Sequence, residues 1–434
     1  MIESQELNEK KPKRKGKMVR CPIHGYIRLT DLEREVLDSA PVQRMRRLRQ
    51  LAGSEYVYPG ANHTRLEHCL GAMFLAGQLG TELLAAEANI EKEDIRDLRL
   101  AALMHDIGHG PFSHLFEAIL KKLDKTHEDL TMWLTTDSEI APILEEAGID
   151  VQRHALLSVG RRQADPRSFL SEVIASAVDV DKQDFVIRDS FHTGATYGRG
   201  VDIARLNRLI DVLDGHLAVD IRALSVLETF MIARIQSFRS IYFHTTARAA
   251  QIMIARALEC LYEEGCDFGL DSVEEYLKMD DYSLWGLMCN SPAAGPYVDA
   301  LRRRKLLKCA YETYSLFESS FQTRVLTSEA TRRQIKEEIA DASGVDLNEV
   351  YVDVPTVPSV PSFGGLAVRL FRRDRRTGEL IQRSLQDESR VIKVLEGIFA
   401  VTRVYSLSQE NRETIGKAAR KVFGAPAYTE RISS

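Results

Sequence analysis

Residues 101–114, AALMHDIGHGPFSH, change character halfway along. The first half continues a run, DIRDLRLAALMHDIG, with apolar residues recurring at three and four positions. This predicts a helix ending at Gly108, with Gly110 and Pro111 preventing continuation. The rest of the stretch carries His105, Asp106, His109 and His114. The chain has 11 histidines in 434 residues, yet His63, His68, His105, His109, His114 and His127 crowd one part of it. Side chains of an adjacent His–Asp pair at a helix end can both reach one cation. His68 from an earlier helix and Asp181 from a later one complete a set of two imidazoles and two carboxylates. That mixture, with positions left open, suits Mn, Fe, Zn or Ni better than an all-oxygen Ca site. Without an ion, so many buried imidazoles and carboxylates would be costly to desolvate.

Outward from this stretch the pattern stays helical. EHCLGAMFLAGQLGTELLAAE predicts a helix beginning near Thr64. FLSEVIASAVDVDKQDFVIRDSF places Ile174, Val178, Asp181 and Phe185 near one helical face. LSVLETFMIARIQSFRSIYFH and TARAAQIMIARALECLYEEG read as further helices. Composition shifts after Leu326. EATRRQIKEEIADASG is a charged helix, and EVYVDVPTVPSVPSF, with three prolines, is extended. GLAVRLFRR, DRRTGE and LIQRSL together predict a hairpin. The expected organisation is a disordered basic tail at 1–17, a helical core with a helical extension at 18–326, and a small α+β region at 327–434. The fold class is therefore mainly α.

At 44% hydrophobic and 28% charged, the chain has the composition of a folded globular protein. A net charge of −5 argues against a nucleic-acid coat protein, so nucleic acid is not expected as the main partner. Its 6 cysteines lack CxxC spacing and read as reduced thiols. No apolar run approaches the ~20 residues that cross a bilayer, and no signal-peptide core opens the chain. The expected location is cytoplasmic, without membrane association.

HxxxxH…HD…D in a helical context resembles the HD-domain phosphohydrolases. The wording PIHGYIRL, QRMRRLRQLAGSEYVYPGANHTRLEHCLG, HDIGHGPFSH and DVDKQDFVIRDSFHTG is similar to one branch. That branch contains the SAM- and HD-domain deoxynucleoside triphosphate triphosphohydrolase and its prokaryotic relatives. The similarity covers roughly residues 18–260, and only a short basic tail precedes it here, with no SAM domain.

The resemblance implies that His68, His105, Asp106 and Asp181 hold a divalent transition metal, with Mg accompanying the nucleotide phosphates. It places His109, His114, Glu117, His127 and Glu128 at catalytic and supporting positions. Water would attack the α-phosphorus of a dNTP, releasing deoxynucleoside and intact triphosphate, and His114 could protonate the departing 5′ oxygen. Arg65, Lys182 and Arg234 match phosphate-contacting positions. Gln50 and Asp189 match contacts to the sugar 3′-hydroxyl. Leu51 packs against sugar or base, and Phe185 and Tyr242 belong to the same substrate set. Two positions depart from the branch: Glu117 stands for an aspartate and Phe185 for a tyrosine. Lys17, Asp38, Gln43 and Arg46 fall in the register of a guanine-reading allosteric site, whose carboxylate can accept from the guanine N1–H and N2 amine. Ser240, Thr245 and Asp220 stand where that site carries cations. The resemblance thus implies a homo-oligomer, dimer or tetramer, activated by GTP or dGTP. The alternatives are an HD phosphohydrolase for other nucleotides or nucleic-acid diesters, and a non-catalytic nucleotide or nucleic-acid sensor.

Overall fold

In the computed structural model of this chain, which describes residues 17–161, 167–317, 324, 327–358, 368–374, 376–395 and 397–424, a helix spans Arg65–Ala85. A capping box starts it, with the Thr64 backbone N–H donating to Glu67 Oε1 at 3.3 Å. Leu66, Cys69, Ala72, Met73, Ala76, Leu79 and Leu83 are buried, and Leu70 and Leu75 are buried on its other flank. A helix apolar on most of its surface belongs at the centre of a core. The helices Lys92–Met104 and Val180–Thr193 pack along it.

Two expectations shift in detail. The Lys92–Met104 helix stops before Gly108, so that His105 caps it and Asp106 lies in the following turn. The segment from Phe169 is two helices, Phe169–Ile174 and Val180–Thr193. The break has a chemical cause: the Asp179 carboxylate accepts from Ser176 N at 2.8 Å and Lys182 N at 2.7 Å, ending one backbone path and capping the next. Asp181 thereby sits in the first turn of the new helix. Further on, Leu224–Ser237 continues through a π turn, Phe238–Tyr242, to the long helix Thr245–Glu263.

The chain is mainly helical, with three small sheets among the described residues. Met18–Cys21 and Gly25–Arg28 form an antiparallel hairpin, register Val19 to Ile27. Ile210–Leu213 and His216–Asp220 form a second hairpin, neither having been marked by the sequence pattern. Arg369–Arg373 adds to His216–Asp220 in parallel, and the expected hairpin follows, Leu370 opposite Arg383. In the third sheet Ile398–Ser406 lies between Lys308–Phe317 and Val350–Asp353, all antiparallel. Glu329–Ser343 and Arg412–Phe423 cover it around Tyr311, Ile339, Val350, Val404 and Ile415. This sheet takes its first strand from upstream of residue 327. The tail before Lys17, and residues 359–367 of the proline-rich and hairpin segments, lie outside the described residues. All six cysteines are unpaired. Among the described residues no helix is long and apolar enough to cross a membrane.

Candidate active site

Three helices bring His68, His105, Asp106 and Asp181 together. His68 Nε2 lies 3.3 Å from His105 Nε2, 3.0 Å from Asp181 Oδ1 and 3.9 Å from Asp106 Oδ2. His105 Nε2 is 3.4 Å from Asp106 Oδ1 and 3.8 Å from Asp181 Oδ1. The other ring nitrogens decide what these atoms are. His105 Nδ1 faces the Ala102 carbonyl at 2.8 Å, and His68 Nδ1 faces Asp184 Oδ2 at 2.9 Å. Both partners only accept, so each Nδ1 carries a proton, and Nε2 is the atom each ring would offer a cation as a lone pair. Two such atoms and two carboxylates converge. The donor set fits a divalent cation. The carboxylates draw positive charge to this point: burial opposes a second proton on His68, but Asp181 and Asp184 raise its pKa to about 10, a proton taking the place a cation would fill. Asp106 and Asp181, despite burial, are held well below the usual carboxylate range by neighbouring cationic groups.

A second cluster adjoins the first. His109 Nε2 is 3.3 Å from Asp106 Oδ1, and its ring stacks on His127 with centroids 4.1 Å apart. Glu117 Oε1 accepts from His127 Nδ1 at 2.7 Å, so the longer carboxylate still reaches its imidazole. His109, Glu117 and His127 offer a further group of metal-capable donors. Gly108 lets this cluster assemble, because a Cβ there would lie 2.2 Å from the His127 carbonyl oxygen. His114 meets His109 edge-on at 5.0 Å and is exposed. Crowding by protein, then the charges of Arg65 and His127, push its pKa down to about 4. Water on its open face softens that shift without changing its direction, so the ring is neutral at pH 7. Glu128 is not among them. One helix position on from His127, it turns outward to Arg161 at 3.5 Å, its side chain 47% exposed.

The phosphate-matching cations line the same region, each beside a carboxylate. Arg65 donates from Nη1 to Asp106 and from Nε to Ser113 Oγ at 2.7 Å. Lys182 Nζ holds Asp179 Oδ2 at 2.6 Å, and Asp179 also faces Arg234. Asp189 is fully buried, accepting from His63 Nε2 at 2.8 Å and from the Tyr242 hydroxyl. Leu51 packs with Ala61, Ile241 and Tyr242, while Phe185 meets Tyr242 edge-on at 6.2 Å. Gln50 Oε1, His63 Nδ1, Arg65 Nη2 and His109 Nδ1 are buried without a partner. Buried polar atoms are rarely left so, and their gathering here marks a place for a polar ligand.

The guanine-register residues lie apart, on the surface. Arg46 Nε donates to Gln43 Oε1 at 2.7 Å, and Gln43 Nε2 donates to the Leu37 carbonyl at 2.7 Å. Asp38 and Lys17 are exposed. The sequence reading missed three residues that build the site. Asp184 holds His68, and His24 Nε2 reaches Asp184 Oδ1 at 2.7 Å. Asp281 accepts from Phe112 N at 2.7 Å and Arg49 N at 2.9 Å. It thereby ties the His109–His114 loop, strained at Phe112 (φ 58°) and Ser113 (φ 56°), to the segment carrying Gln50.

The helical scaffold thus presents an inward-facing His/His–Asp/Asp quartet, the arrangement of the HD class of domain. The HD domain family matches residues 65–214 and the HD associated region residues 201–433, and the chain belongs to this HD-domain phosphohydrolase family. It is 31% identical over 313 residues to an uncharacterized protein of Methanocaldococcus jannaschii, covering 70% of this chain and 61% of that one. It is 32% identical over 226 residues to the deoxynucleoside triphosphate triphosphohydrolase SAMHD1 of Homo sapiens, covering 44% and 36% respectively. To the Gallus gallus protein of the same name it is 28% identical over 347 residues, covering 68% and 56%. The chain spans less than two-thirds of each of these curated relatives. A hypothetical protein of Aquifex aeolicus shares the fold with a TM-score of 0.76 and 25% identity, covering 94% of this chain and 99% of that one. A phosphohydrolase of Bacteroides thetaiotaomicron does so with a TM-score of 0.70 and 22% identity, covering 90% and 99%.

Proposed function

We propose that the protein hydrolyses deoxynucleoside triphosphates to deoxynucleoside and triphosphate. The observation that carries the reading is the convergence of two imidazole Nε2 atoms and two carboxylates beside a group of buried, unpartnered polar atoms. His68, His105, Asp106 and Asp181 would hold a divalent transition ion, which when bound would make a nucleophilic water available near neutral pH and neutralise phosphoryl charge. Mg accompanies the incoming triphosphate.

Arg65, Lys182 and Arg234 bind the phosphate chain, each exchanging part of its hold on Asp106 or Asp179 for phosphate oxygens. Gln50 and Asp189 meet the sugar 3′-hydroxyl, whose single O–H donates to the Asp189 carboxylate while its oxygen can accept from the Gln50 amide N–H. Leu51 packs against the sugar or base, with Phe185 and Tyr242 in the same substrate set, and a side chain filling the 2′ region would exclude ribonucleotides sterically. His114, neutral in the free protein, gains proton affinity as the triphosphate charge arrives and delivers a proton to the departing 5′ oxygen. His127, oriented by Glu117, and His109 support that transfer. Lys17, Asp38, Gln43 and Arg46 receive GTP or dGTP as an activator, and the active form is a homo-oligomer.

The test is inorganic triphosphate release from each dNTP alone, from dGTP, and from mixtures. Release stimulated by dGTP supports the reading. Orthophosphate or pyrophosphate as the sole product, or hydrolysis of nucleoside monophosphates only, contradicts it.

A further inference from the structure

The buried carboxylate behind His68 is held by more than its own helix. Asp184 Oδ2 takes His68 Nδ1 at 2.9 Å and Arg188 Nε at 2.7 Å, while Oδ1 takes Arg188 Nη2 at 3.0 Å and His24 Nε2 at 2.7 Å. A carboxylate has about four lone-pair directions, and here all are filled. The side chains of Asp184 and Arg188 are 0% exposed and that of His68 is 1% exposed. His24 comes from the turn of the Met18–Cys21/Gly25–Arg28 hairpin. Its ring also stacks on Phe74, centroids 5.0 Å apart, and Phe74 lies on the helix that carries His68. From the same hairpin, Cys21 Sγ accepts from Arg188 Nη2 at 3.4 Å.

We infer that the Met18–Arg28 hairpin is a positioning element for the metal: His24, acting through Asp184, fixes the ring of His68 with Nε2 toward the ion, so docking of the hairpin governs how tightly the ion is held. This rests on the reading of His68 as a metal ligand. Without His24, the Arg188 fork and His68 still hold Asp184, but Oδ1 loses one of its two donors and His68's helix loses the ring stacked on Phe74. The acceptor of the His68 N–H is then less firmly placed, and the ring's orientation toward the ion loosens with it.

The hairpin is suited to this role because it is attached by one face. Cys21 and Ile27 are buried, whereas Met18 is 47% and Tyr26 62% exposed. A two-stranded ribbon is marginal by itself, so its docking depends on these few inner contacts. Coupling between sites is reciprocal. If docking tightens the metal, the metal must tighten docking by the same factor.

The experiment uses the full chain with Mn(II) alone as the probe. Wild type, His24→Ala, His24→Gln and His68→Ala are loaded, challenged with chelator, and followed by metal content. Amide exchange over residues 18–28 is measured with and without Mn(II). Partners that orient a metal-bound imidazole are typically worth about 10- to 100-fold in affinity. His24→Ala is therefore expected to lose Mn(II) at least about tenfold more readily. His24→Gln, whose amide N–H can reach the same carboxylate oxygen, is expected to stay close to wild type. Mn(II) is expected to slow hairpin exchange in wild type and to leave it unchanged in His24→Ala. Metal retention by His24→Ala equal to wild type overturns the inference, as does equal loss in the alanine and glutamine variants, or hairpin exchange indifferent to metal in wild type. His68→Ala separates the two levels of the argument. If it keeps Mn(II) as well as wild type, the ligand assignment fails and the inference with it; if it loses the ion while His24→Ala does not, only the inference falls.

Discussion

Replacing Gly71 by alanine would drive a methyl group into the most tightly held charges in the protein. A Cβ at this position would lie 2.0 Å from Asp184 Oδ1, 2.4 Å from Arg188 Nη2 and 2.6 Å from Asp184 Cγ. None of these is the loose end of a surface side chain, since the side chains of both residues are 0% exposed. The methyl can be accommodated only if the ion pair separates or the two helices move apart. Breaking a buried pair typically costs ~3–5 kcal/mol. Alanine in place of glycine in a helix returns ~1 kcal/mol, so the net expected destabilisation is ~2–4 kcal/mol. Gly286 supplies the control, because it lies in the Asp281–Asn290 helix with nothing within 4 Å of its would-be Cβ. Gly286→Ala should therefore stabilise by up to ~1 kcal/mol. Urea unfolding of metal-free protein reads both changes. A Gly71→Ala variant as stable as wild type, or one shifted like Gly286→Ala, would refute the claim that this glycine exists to admit the Asp184–Arg188 pair.

Other outcomes follow from the same geometry. Burial, only partly offset by the Phe112 and Arg49 backbone N–H groups, raises the Asp281 pKa from 3.8 to about 6. The folded protein thus keeps this proton to higher pH than the unfolded chain; the stability it contributes is present below pH ~4 and lost as pH rises to ~6, a change of ~3 kcal/mol. Asp281→Asn should flatten that part of the stability–pH curve measured by urea unfolding, and an unaltered curve would remove Asp281 as its source. His114→Ala should slow turnover by ~10²–10⁴-fold with metal content unchanged; parallel loss of metal would make it a ligand or structural residue instead. Asp38→Ala should raise the GTP or dGTP concentration needed for half-activation by roughly ten- to a hundred-fold, the loss of a charged hydrogen bond being worth ~1.5–3 kcal/mol. Activation curves that coincide with wild type would exclude Asp38 from guanine recognition.

The sequence made the quartet legible because its central members, His105 and Asp106, are adjacent where a helix must stop before Gly110-Pro111. His68 and Asp181 sit on strongly patterned segments either side. Helix starts were equally readable where a cap is local, as at Thr64 with Glu67. Asp184 left a fainter trace: an Asp–Arg pair at i and i+4 on a helix whose Val180, Gln183 and Val186 are also buried. Its meaning depends on His24, 160 positions earlier, and no local pattern connects the two. Asp281 acts 169 positions from Phe112 and looks in sequence like one more residue beginning a helix. The Lys308–Phe317 strand escaped for another reason. Its burial does not alternate, because both faces are partly covered, so the two-residue period that marks a half-buried strand is missing. Glu128 looked like a neighbour of His127, but adjacent residues on a helix point about 100° apart.

The central claim is that His68, His105, Asp106 and Asp181 hold one catalytic ion for nucleotide hydrolysis. Its most direct test is the metal content of purified wild type and Asp106→Ala, measured beside triphosphate release from a dNTP mixture on the same samples. The account predicts a divalent transition ion and release in wild type, and neither in an Asp106→Ala protein that still folds. Full metal content together with wild-type release in Asp106→Ala would contradict it.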